Sequence, residues 1–178
     1  MLVCKEVKAL RDDKTIVTEA HREEHQQVGG IEHANGELGK QVRSIKIVVE
    51  DSISERLPSD HRLMPWLVRH AGWTLTRFAV KAHGPSTGQT AYESLRGSPY
   101  RGEIVEFGEN VWARRPGNRI SKLESNWEST VWIGKTDSSD EHLVASLSKT
   151  YRVGTVRRKP DGERWSKVLI HGFAGAPW

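Results

Sequence analysis

Apolar residues recur at steps of three and four from Ile31 through Ala34, Leu38, Val42, Ile45, Val49 and Ile53 to Leu57. Such spacing lays one stripe along an α-helix and predicts a helix near 31–57. Pro58 is expected to end it, because proline lacks an amide hydrogen and clashes with the preceding turn. A second helical period, Leu63, Leu67, Val68, Ala71, Leu75 and Phe78, predicts a largely buried helix near 61–79. Ser59 or Asp60 is placed to cap it. Pro65 is best tolerated in a first turn, which moves the regular start toward Met64. Before Gly29-Gly30 the chain is polar, with small apolar patches at Val7, Leu10 and at Ile16, Val17 that predict a short strand and a weak helix.

From 80 to 101 the composition shifts to Gly, Ser, Thr and Pro, as in a linker, with one ordered-looking island at Thr90–Leu95. A domain boundary is expected near Gly102. Beyond it the pattern changes to short apolar runs: Ile104–Phe107, Val111–Ala113, Val131–Ile133, Leu143–Ala145 and Val153–Val156. Turn residues separate several of them, at Pro116-Gly117-Asn118, Thr136–Ser139 and Pro160-Asp161-Gly162. The division is therefore 1–101 with two main helices, a β-rich domain over 102–170, and a frayed tail over 171–178. The class is α+β, ending in a small barrel or curled sheet.

Composition narrows the function. The 178 residues carry 27 Lys and Arg against 23 Asp and Glu. Between Lys149 and Lys167 seven bases meet two acids, so the local excess of five surpasses that of the whole chain. Such a patch attracts phosphate without reading sequence. Arg114, Arg115, Lys122, Lys149, Arg157, Arg158 and Lys159 are the candidate DNA contacts, joined by Lys40, Arg43 and Lys46, which stack along the first helix. Trp112, Trp127 and Trp132 could stack on bases, but strand-like surroundings favour core packing. The single cysteine, Cys4, excludes an internal disulfide and a paired-cysteine zinc knuckle. No apolar stretch approaches the roughly 20 residues of a membrane span, and Met1–Lys14 has no signal-like core. A nuclear or cytoplasmic location without membrane attachment is expected.

Two motifs point to chemistry. His21-Arg22-Glu23-Glu24-His25 has the spacing of an inverted zinc-protease helix, where two histidines bind zinc and a glutamate activates water. Its polar flanks argue against a seat in a core. The second is Val28-Gly29-Gly30-Ile31-Glu32-His33-Ala34-Asn35, opening the long amphipathic helix. It resembles the third-acid helix of retrotransposon integrases. The resemblance continues in order through Trp66–Ala71, Thr76-Arg77-Phe78, Thr90-Ala91-Tyr92-Glu93, Val105–Glu109, Trp132–Lys135, Ser139–Val144 and Thr155–Arg158, covering roughly residues 5 to 165.

This resemblance implies the C-terminal part of a ribonuclease-H-like catalytic core followed by a small SH3-like β-barrel. In that family three carboxylates hold two divalent metals, Mg²⁺ or Mn²⁺, which neutralise the attacking and leaving oxygens at phosphorus. Glu32 matches the third acid. Asp12 and Asp13 lie too close to Glu32 to serve as the second, and the first precedes Met1. The expectation is a truncated, integrase-derived fragment that binds DNA weakly and without sequence preference, with no catalysis of its own and Glu32 a vestigial catalytic and metal ligand. Assembly with a complete integrase, or with itself, is the expected partnership. The alternatives are a zinc hydrolase at 21–25 and a non-enzymatic protein-interaction module.

Overall fold

The computed structural model describes residues 29–82, 87–115 and 125–177. The early strand and weak helix, the motif at 21–25, Asp12, Asp13, Lys122 and the turn at Pro116–Asn118 lie outside them. Two compact units divide the chain, 1–36 and 37–178. Of the first, the described part is the opening of helix α1, Gly29–Ile53. The second contains α2 (Met64–Phe78), α3 (Ala91–Arg96), β1 (Asn110–Arg114), β2 (Trp127–Lys135), β3 (His142–Ala145), β4 (Thr150–Val153), β5 (Val156–Arg158), a 3₁₀ turn at Asp161–Glu163 and α4 (Lys167–Gly172).

The long helix stops before the proline expected to stop it. Ser54 takes a left-handed φ of 49°, and the amides of Ser54 and Glu55 return to the carbonyls of Asp51 and Glu50. This pair of bonds is a Schellman ending, with Ser54 where glycine is commoner. The Glu50 carboxylate then accepts the Leu57 amide at 2.6 Å. That bond, followed by Lys46, holds the Glu50 carboxyl below its usual range. Val49 and Ile53 are buried, with Val42 and Ile45 packed beside them, as the spacing predicts. Leu57 joins the same core from outside the helix.

The second helix starts at Met64 with Pro65 in its first turn, but neither Ser59 nor Asp60 caps it. Leu63 occupies the capping position and has no side-chain cap, while its amide donates to Nδ1 of His61. The Thr90 island is the short helix α3. The Thr90 hydroxyl accepts the Glu93 amide, and Gly97 closes the helix at φ 75°.

All five strands run antiparallel in the order β4-β3-β2-β1-β5. Two expected strands are corrected. Ile104–Phe107 is irregular, since Gly108 turns at φ 90° and the Glu109 amide bonds back to the Glu106 carbonyl. The run Val153–Val156 breaks at Gly154-Thr155: Val153 pairs with His142 on β3, whereas Val156 pairs with Ala113 on β1. That break fixes the shape of the sheet. Three residue steps span at most about 11 Å, whereas four strand spacings of a flat sheet span about 19 Å. Opposite edges joined by so short a link require a strongly curled sheet.

Helix and sheet share one core. Val49, Leu63, Trp66 and Leu67 cluster with Val105, Phe107, Val111, Trp132, Val144, Ile170 and Phe173, so side chains from both sides of Gly102 meet. Gly134 lies at a register shift in β2, and a Cβ there would come within 3.4 Å of His70 on α2. The expected frayed tail is instead docked. Phe173 is wholly buried, its carbonyl accepts from Arg62, and the Gly175 carbonyl accepts from the Trp66 indole. The tail fastens because α4, a helix too short to show a period, places Ile170 and Phe173 in the core.

Candidate nucleic-acid interface

Alternation along β1 sorts its side chains: Val111 and Ala113 face the core, whereas Trp112 and Arg114 are exposed. Register carries that outer face across three strands, because Trp112 stands opposite Ser129 on one side and Arg157 on the other, and Arg114 opposite Trp127. One surface thus gathers Trp112, Arg114, Trp127, Ser129 and Arg157, and Lys159 reaches it from just beyond β5. The Arg157 guanidinium lies 4.6 Å from the Trp127 ring centre. Lys159 Nζ lies 4.1 Å from that of Trp112.

Lys159 is held from below. Its Nζ donates to Ser129 Oγ at 2.8 Å, and that hydroxyl donates to Asn110 Oδ1 at 2.8 Å. Asn110 in turn is anchored to the 3₁₀ segment by the carbonyls of Glu163 and Arg164. Burial lowers the Lys159 pKa, with Glu163 opposing. Among the described residues no carboxylate forms an ion pair with Arg114, Arg157 or Lys159. Arg114 and Arg157 are exposed, whereas Lys159 is buried beneath Trp112. A cleft of about 220 Å³ opens on this face, lined by Trp112, Ser125, Trp127 and Arg157.

Other predicted contacts are placed differently. Arg158, one residue along β5, turns to the wholly buried Glu109, giving hydrogen bonds of 2.9, 3.0 and 2.6 Å. Lys40 pairs with Glu37, Lys46 with Glu50 and Arg115 with Glu128. Lys149 lies over the Tyr151 ring at 5.2 Å, and Arg43 is exposed on α1. Glu32 is exposed in the first turn of that helix. Among the described residues no three His, Cys, Asp or Glu side chains converge on a possible metal position.

Three features escaped the sequence. The tryptophans divide: Trp132 is fully buried, with its indole donating to His142, while Trp112 and Trp127 belong to the cationic face. Glu109 reads as an ordinary charged residue. Lys135, also buried, donates to Asp140 and to the Tyr100 hydroxyl, which itself donates to Asp140 at 2.6 Å. Only the first had a signal, the period of two in Val111–Arg114. No protein family, curated protein or solved structure matches the chain. Among the described residues no helix is long and apolar enough to cross a membrane.

Proposed function

We propose that the chain is an integrase-derived fragment of retrotransposon lineage that binds DNA through the phosphate backbone and has no strand-transfer chemistry of its own. The observation that carries the binding is the outer face of β1, β2 and β5, where the exposed Arg114 and Arg157 form no ion pair among the described residues and stand beside two indoles, with Lys159 behind them. Phosphate contacts of this kind position a nucleic acid without specifying bases.

The lineage rests on the ordered resemblance of the sequence. In this reading α1 and α2 are the remnant of a ribonuclease-H-like core, and the curled five-stranded sheet is an SH3-like barrel. Return of β5 beside β1 supports such closure. The lack of catalysis rests on the single acid, Glu32, that the resemblance supplies where two metals need several.

Fluorescence anisotropy of the full chain with duplex DNA across a salt series tests the binding. Two or three neutralised phosphates give a log–log slope of about −2 to −3, and Arg114→Ala or Arg157→Ala lowers its magnitude by about 0.9 each. Binding that is absent at low ionic strength, or indifferent to salt, rejects the proposal.

A further inference from the structure

The cleft beside Arg157 is shaped for more than a phosphate. We infer that Trp112, Ser125, Trp127 and Arg157 form a pocket for one unpaired nucleobase, whose adjoining phosphate meets Arg114; the inference rests on the DNA-binding reading above.

Shape argues first. Two indoles border a concavity of about 220 Å³, room enough for a flat ring beside the Arg157 guanidinium. A base within a duplex is stacked on both faces and presents only its edges. An indole reaches such a base only once it leaves the stack, whereas a single strand offers every base to an aromatic platform. Electrostatics argues second. Arg157 and Lys159 already lie against the two indoles at 4.6 and 4.1 Å. A cationic guest, such as an alkylated ammonium seeking an aromatic cage, would meet both charges at close range. A flat ring joined to an anion satisfies rings and cations together, and a nucleotide has that constitution. Ser125 adds a hydroxyl at the rim, turned toward its own strand by bonds with the Trp127 backbone. Stacking on an indole is tolerant of base identity, because every base has a π-face.

Three oligomers of equal length separate base from phosphate: single-stranded oligothymidylate, an abasic strand of the same backbone, and duplex DNA. Each is titrated into the full chain at low salt, with anisotropy and tryptophan quenching as readouts. Oligothymidylate should bind at least about tenfold more tightly than the abasic strand, the scale of one stacked base. Trp127→Ala and Trp112→Ala should bring that ratio close to one, while Trp127→Phe preserves most of it. Because the ratio is taken within one preparation, a partly unfolded variant does not distort it. Equal affinity for oligothymidylate and the abasic strand, or a ratio unchanged in both alanine variants, overturns the pocket. If duplex binding with a normal salt slope persists in that case, the DNA-binding reading stands alone. If none of the three oligomers binds, both readings fall.

Discussion

Arg157 and Arg158 are neighbours in β5 with opposite surroundings, so replacing each by alanine should give opposite phenotypes. Arg158 gives three hydrogen bonds to Glu109, whose side chain is 0% exposed. Removing the guanidinium leaves a carboxylate buried and short of its main partner. Breaking a buried pair in this way costs about 3–5 kcal/mol. Arg164 stands 3.7 Å from the same carboxylate, close enough to soften the loss, which places the expectation near the lower figure. For a domain of this size about 3 kcal/mol corresponds to a fall in Tm of roughly 10 °C. Arg157 forms no ion pair among the described residues and lies over Trp127 at the surface; surface changes usually stay within about 0.5 kcal/mol. Thermal and urea denaturation of both variants, together with DNA affinity, is the assay. Arg158→Ala should lose stability yet bind normally when folded, and Arg157→Ala should do the reverse. Equal Tm values for the two variants would refute the division of labour drawn from their contacts.

His70 is buried among Trp73, Phe107 and Trp132, and burial followed by the charge of Arg69 lowers its pKa to about 4. The unfolded chain takes up this proton first, so stability is lost as pH falls from about 6.5 to about 4, by roughly 3 kcal/mol, then levels off. Tm measured against pH should show this loss in the natural chain and a reduced slope in His70→Gln; parallel curves would dismiss the role. Phe173→Ala should cost about 3–5 kcal/mol, as for other wholly buried phenylalanines, and a urea midpoint unmoved by it would show the tail to be undocked. Thr90→Ala removes the hydroxyl that accepts the Glu93 amide and should cost about 1 kcal/mol. Hydrogen exchange would locate that loss in α3, and unchanged protection there would contradict the cap.

The two long helices were legible because a period of 3.6 persists over many residues, and their ends were less so. Pro58 is a visible stop, yet Ser54 ends α1 through a backbone conformation that its side chain does not announce. Strands were found where apolar runs are compact. The run from Val153 to Val156 misled because four residues of similar character serve two edges of the sheet, and pairing is a non-local property. The same limit explains the linker: a change of period at Gly102 marks a change of secondary structure, while the packing of Leu63 and Leu67 with Val111 and Val144 depends on which surfaces meet. Among the cations, composition identified Arg114, Arg157 and Lys159 together with Arg158, and only the register of β1 against β5 distinguishes a guanidinium facing outward from one turned to Glu109.

Among the described residues, the two strands joined at Gly154-Thr155, β4 and β5, each have one neighbour in the sheet. Unpaired backbone on an outermost strand is a template onto which another polypeptide can zip. Both strands are brief, four and three residues, and each bears arginine, at 152 on β4 and at 157 and 158 on β5. Arg152 and Arg158 are paired with Glu141 and Glu109, whereas the exposed Arg157 would meet its own copy if two β5 edges aligned. Replacing Arg157 by a neutral residue would therefore be expected to raise the tendency to precipitate.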